Sequence, residues 1–187
     1  MRRVRREELL DWVTWSERRA AALPAILAAK AARRVHLGAD LTLLFENADT
    51  VRYQVQEMLR VERIVREVDI QHELSTYNEL LGGPGELGAT LLIEIDDPHR
   101  RAELLPRWLG LPRRLYLGLP GGERAFAQVD ERQIGEERVS AVQYLRFDTR
   151  GAVPLAAGCD FPEQRTEVQL SAEQRAALAE DLSSDER

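Results

Sequence analysis

Cysteine is nearly absent from this 187-residue chain, and lysine with it. The one cysteine, Cys159, excludes an internal disulfide and any cluster held by several thiolates. It lies in a loop-like Gly-Cys-Asp-Phe-Pro segment with no histidine nearby, so it reads as a buried or incidental thiol, not a nucleophile. No Gly-x-Ser-x-Gly elbow occurs. The Gly82-Gly83-Pro84-Gly85 run lacks the lysine and the spacing of a phosphate-binding loop. Histidine is scarce too: His36, His72 and His99 form no His-x-x-x-His or Glu-x-x-His pair. Long apolar runs are missing. The longest weakly apolar stretch, Ala20 to Ala32, contains Pro24 and Lys30 and is too short to span a bilayer. It also lies too far inside for a secretion signal, so a cytoplasmic location is the default expectation.

What remains fits a soluble globular protein, with 44% hydrophobic and 31% charged residues. A net charge of -6 argues against general nucleic-acid binding. The basic residues are all arginine except Lys30. They concentrate at the start: residues 1–35 carry nine bases against four acids, while residues 160–187 carry eight acids against three bases. The two ends either attract each other, stay solvated, or leave a basic docking face.

The chain is organised around Leu41 to Leu81. Leu41 to Glu46 alternates as a strand. Asn47, Asp49 and Thr50 are capping residues, so a helix is expected from Asp49 or Thr50 to about Val68. At 100° per residue, Val51, Val55, Met58, Leu59, Val61 and Val65 share one arc, with Arg52, Gln56 and Arg63 opposite. Glu62 falls inside the apolar arc, with Arg66 one turn on as its nearest partner. It reads either as a structural ion pair at the core edge or as a functional carboxylate.

The phrase Phe-Glu-Asn-x-x-Thr-x-x-x-Gln-x-x-Glu-Met-x-Arg-x-Glu, Phe45 to Glu62, resembles an uncharacterised bacterial family, domain-of-unknown-function family 3501. His72 to Leu81, Ala89 to Ile95, Ser140 to Phe147 and Leu170 to Leu182 extend the resemblance over nearly the whole chain. No established activity comes with it. What it implies is a setting, beside rubrerythrin-like proteins and iron–sulfur oxidoreductases related to heterodisulfide reductase subunits.

Taken in order, Arg6 to Ala22 and Ala25 to Arg34 read as helices separated by Pro24, with Arg33 and Arg34 at a helix C-terminus. Arg34 to Leu37 is a short extended piece. His72 to Leu81 is a helix stopped by the glycine run. Thr90 to Glu94 echoes Thr42 to Glu46 (Thr-Leu-Leu-x-Glu), suggesting two similar strands that each end in glutamate. Asp97 and Pro98 open a helix that runs to about Trp108. Arg113 to Leu119 and Arg124 to Val129 form a hairpin around Pro120-Gly121-Gly122. Val139 to Asp148 is a longer strand, Val153 to Ala157 pairs back on it, and Thr166 to Leu170 is the last strand. Ser171 and Gln174 make a capping box for the final helix. This order implies an α+β fold: N-terminal helices and one long central helix packed on a largely antiparallel sheet. One domain is expected over residues 1–182, helical to about 82, sheet-rich over about 88–170, with a C-terminal helix at 171–182 and a frayed tail at 183–187.

Two functional readings follow. In the first, a polar cluster of Glu46, Asn47, Thr50, Gln54, Glu57, Arg60, Glu62 and Glu94 fixes the strand-to-helix junction. Arg60, Arg63, Arg66 and the N-terminal arginines then face an acidic protein partner. The protein is a non-catalytic accessory in a redox system, with rubrerythrin-like or iron–sulfur oxidoreductase partners. In the second, carboxylates hold iron or manganese, drawn from Glu46, Glu57, Glu62, Glu73 and Glu94, with His72 as the nitrogen ligand. Glu57, Glu62, His72 and Glu73 are the residues favoured for that metal. Convergence of Glu57 or Glu62 with Glu46, Glu94 or His72 would separate the second reading from the first.

Overall fold

A computed structural model describes residues 2–130 and 135–184, so residues 185–187 of the expected tail lie outside the described residues, while Ser183 ends the last helix. The fold is α+β, with five α-helices and two antiparallel sheets among the described residues. Helix α1 (Trp12–Ala31) leads into strands β1 (Arg34–Leu37) and β2 (Leu41–Phe45), then helices α2 (Ala48–Val61) and α3 (Glu67–Asn78). Strand β3 (Glu86–Ile93) and helix α4 (Pro98–Arg107) follow, then β4 (Leu115–Gly118), β5 (Arg124–Phe126), β6 (Gln128–Val129), β7 (Val142–Asp148), β8 (Ala156–Cys159), β9 (Thr166–Gln169) and α5 (Ala172–Ser183). No helix among the described residues is long and apolar enough to cross a membrane.

One sheet has the order β1-β2-β3-β7-β6 and the other β5-β4-β8-β9. The chain passes between them at Ala127, whose N–H still bonds to Leu115 while Gln128 and Val129 pair with Arg146 and Leu145. The expected return strand of the hairpin is therefore cut in two. The segment after the Thr149 turn does not pair back on β7: β8 lies between β4 and β9. Cys159 closes that strand and is buried, where burial pushes its thiol pKa up, so it is not in a loop. β2 is buried along its whole length, because both of its faces are covered. Leu37, Leu41, Leu43, Phe45, Leu91 and Phe147 form the centre of the core.

Local signals explain several helix ends. Asp97 accepts from His99 and Arg100 and caps α4, with Pro98 in the first turn, where its missing N–H costs nothing. Ser171 and Gln174 cap α5 reciprocally. The N-terminal helix differs from expectation. Arg6–Glu8 make only a short 3-10 turn, and α1 starts after Asp11, whose carboxylate accepts from Val13 and Thr14. Pro24 does not divide α1. It lies on the exposed side with Ala20, so the carbonyl left without an N–H partner faces water.

The long central helix is two helices. α2 ends at Val61, with Glu62 as its C-cap, and Arg63 takes the left-handed conformation at φ 49°. The Ile64 N–H then reaches back to Leu59 O at 3.0 Å, and buried Leu59 meets Ile64 against the core. This is a Schellman stop with arginine where glycine is usual. After α3 the chain lies directly on the sheet at Gly88: a Cβ there would come within 1.8 Å of the Leu80 carbonyl oxygen.

Candidate functional site

The polar residues at the start of α2 form a buried seam. Glu46 is 1% exposed. Its carboxylate accepts from the Thr50 hydroxyl at 2.6 Å, the Thr90 hydroxyl at 2.7 Å and the Gln54 amide at 3.2 Å. Asn47 Oδ1 accepts from the Asp49 and Thr50 amides, and Thr50 Oγ1 accepts from the Asn47 N–H, a complete capping box. The other end of the Asn47 amide donates to Asp181 Oδ1 at 3.2 Å. Asp181, on α5, holds Arg33 through two hydrogen bonds of 2.8 Å, and both residues are buried. Burial opposes the charge on Arg33, but the hydrogen bonds and charge of Asp181 outweigh it and raise its pKa. Arg33 also donates to Ala29 O and so closes the C-terminal end of α1. The seam thus joins α1, the β2–α2 junction, β3 and α5. Its groups spend their hydrogen bonds on one another, which suits scaffolding better than ligand binding.

The echo between Thr42–Glu46 and Thr90–Glu94 has a structural meaning. β2 and β3 pair antiparallel, with Leu44 opposite Thr90 and Thr42 opposite Leu92. Each threonine serves the other strand's glutamate: Thr90 donates to Glu46, and Thr42 to Glu94 at 2.5 Å. The antiparallel register sets the two glutamates at opposite ends of the pair, about 20 Å apart along the strands. Glu94 is exposed, beside Arg34 at 3.8 Å, with His36 Nδ1 against Thr42 Oγ1.

Glu57 lies in a third place. Trp15 Nε1 donates to it at 2.8 Å, Arg19 Nε at 2.9 Å, and Arg60 Nη2 at 3.1 Å. Burial disfavours its charge, yet the hydrogen bonds from Arg19, Arg60 and Trp15 and the charge of Arg19 pull its pKa down to about 2. Glu62 is not in an apolar arc. It caps the end of α2 in solvent, and Arg66 pairs with Asp69 instead. Among the described residues, no group of three or more His, Cys, Asp or Glu side chains is placed to hold a metal ion. Glu57 is engaged by Trp15, Arg19 and Arg60, and Glu62 lies at the exposed end of α2.

His72 and Glu73 line a cleft instead. Its volume is about 850 Å³, and it lies between α3 and the outer face of β7. His72, Glu73, Thr76 and Tyr77 form the α3 wall, with Tyr144 and Arg146 across from them and Leu80, Leu81 and Leu145 among the lining. Arg3 and Glu86 also border it. The Tyr77 hydroxyl has its pKa raised by burial first, then by Tyr144 and Glu73.

The elbow between α2 and α3 is the other exposed feature. Val61, Val65 and Val68 are 60%, 71% and 61% exposed. The Arg63 guanidinium lies 5.8 Å from the centre of the neighbouring Trp12 ring. The arginines expected to form a basic face are largely used up in pairs: Arg2 and Arg5 on Glu8, Arg6 on Glu67, Arg60 on Glu57, Arg66 on Asp69.

Several residues that matter here gave no local signal. Arg33 and Asp181 meet across 148 positions. Gln56, expected on the solvent side of α2, is buried and bonds both the N–H and the carbonyl of Leu10. Tyr77 and Tyr144 face the same cleft only because the fold sets α3 beside β7. Thr90 alone had a readable cue, the repeated Thr-Leu-Leu-x-Glu phrase.

The family model described as Protein of unknown function (DUF3501) matches residues 3–182. A crystal structure of a protein of unknown function from Burkholderia pseudomallei is similar over 97% of this chain and 100% of that one, with 32% sequence identity and a TM-score of 0.88. No curated protein matches the chain.

Proposed function

The chain belongs to the DUF3501 family of proteins of unknown function, so its role is read from its own surfaces, and we propose that it is a non-catalytic accessory protein that binds a protein partner at the α2–α3 elbow. The observation that carries this reading is the exposure of Val61, Val65 and Val68 within eight residues. Exposed apolar side chains clustered on one surface mark interaction sites, and these three lie within one short stretch of chain. The elbow is also a formed surface, because the stop at Arg63 and the packing of Ile64 on the core hold it in place. The dispersal of carboxylates onto arginines, and of Glu46 onto neutral donors, supports the same reading. Those acids are engaged in contacts that hold the fold together.

The partner we propose is a component of a redox or oxidative-stress system, rubrerythrin-like or an iron–sulfur oxidoreductase, as the family resemblance implies. It would meet the elbow with an apolar contact of its own. The test is biolayer interferometry of the purified chain against purified proteins of both kinds. Binding that weakens about tenfold or more in Val65→Asp, with the circular dichroism spectrum unchanged, supports the reading. Binding to neither protein, or binding indifferent to Val65→Asp, contradicts it.

A further inference from the structure

We propose that the cleft between α3 and β7 binds a small zwitterion, a free amino acid or short peptide, with its ammonium toward Glu73 and the tyrosines and its carboxylate toward Arg146 and Arg3. The proposal does not depend on the elbow. It starts from a contrast in how charges are used. Many acids and arginines elsewhere meet at close range, as in Arg19–Glu57, Arg33–Asp181, Arg107–Glu163 and Arg114–Asp160. In the cleft, Glu73, Arg3 and Arg146 line one cavity, and among the described residues none of the three is ion-paired.

An acid and two bases left mutually unpaired complement a ligand that carries both signs. A pure anion entering the cleft meets Glu73, Glu79, Glu86 and Asp130; a pure cation meets Arg3 and Arg146. A zwitterion can set each charge against its opposite. The other linings fit the same chemistry. The rings of Tyr77 and Tyr144 offer faces to an ammonium group, and the C-terminal end of α3, which forms that wall, favours positive charge. Leu80, Leu81 and Leu145 offer contact to apolar side chains. The volume of about 850 Å³ lies within the range of small-molecule sites.

The experiment is isothermal titration of the full chain with Ala-Leu-Ala in three forms: free termini, N-acetylated, and C-amidated. The expected result is binding of the free peptide at up to millimolar concentration, weakened about tenfold by blocking either end. Glu73→Gln should weaken the free peptide by a similar factor and leave the N-acetylated form unchanged. Arg146→Gln should likewise weaken the free peptide and leave the C-amidated form unchanged. Absence of binding by the free peptide, or binding that responds to only one terminus, overturns the proposal. The blocked peptides are tested on the unaltered protein, so the result does not depend on a variant folding. A failure at the cleft leaves the elbow reading standing, and the reverse.

Discussion

At the start of α2, the carboxylate of Glu46 takes three hydrogen bonds from inside the fold. One helix later, Glu73 borders open space. The two glutamates are chemically alike and differ in what surrounds them. Glu46 is enclosed because β2, β3 and α2 meet there and supply hydroxyl and amide donors at short range. Glu73 stays available because α3 stands off the outer face of β7. The contrast teaches that a dense run of polar residues can be the least accessible part of a protein. The same holds for charge: Arg33 and Asp181 complete each other in the interior, while Arg146 faces the cleft.

The comparison breaks most visibly at the ion pair. Arg33→Ala leaves Asp181 buried without its cation and should cost ~3–5 kcal/mol in urea unfolding. Thr50→Val keeps the shape of the side chain but removes a capping partner and a donor to Glu46. A loss of ~1–3 kcal/mol is expected by the same measurement. Glu57 sharpens the comparison through pH. Its folded-state pKa lies below the ordinary 4.5, near 2. Its stabilisation is therefore fully present above about pH 4.5 and is lost as pH falls through about 2. Over that window the unaltered chain should lose ~1–2 kcal/mol more than Glu57→Gln, allowing for the partial exposure of Arg19. Arg63→Gly relieves the left-handed strain at the elbow and should gain ~0.5–1 kcal/mol, partly offset by the lost contact with Trp12. Val65→Thr, on a side chain that is mostly in solvent, should change stability by less than ~0.5 kcal/mol.

Much of the fold was legible because its cues are local. Asn47 and Thr50, Asp97 and Pro98, and Ser171 and Gln174 announce helix starts within four residues, and the alternation of Val142 to Asp148 announces a strand with one exposed face. The end of α2 was not legible, because the apolar period of Val61 and Val65 continues past the point where the backbone turns. Nothing marks Arg63 as a stop, since arginine seldom takes a left-handed conformation. Pro24 misled for the opposite reason: a helix breaker is tolerated where the freed carbonyl can reach water. The division into two sheets was hidden in Ala127, a single residue that bonds to Leu115 on one side of a switch between sheets. Within the candidate site, the polar phrase at Glu46 to Gln54 was readable as a junction. Its real partners, Arg33, Thr90 and Asp181, come from distant segments, and no periodicity encodes that. The cleft drew only His72 and Glu73 from the sequence, because Tyr144 and Arg146 arrive from β7.

Native-state amide hydrogen exchange, read residue by residue, compares the two regions directly. If the seam is the scaffold and the α3 side is the working surface, the amides of Phe45, Thr50 and Val51 should exchange only through global unfolding. Those of α3 should open locally at a free energy several kcal/mol lower. Seam amides that exchange as readily as those of α3 would contradict the assignment of Glu46, Asn47 and Thr50 to the scaffold.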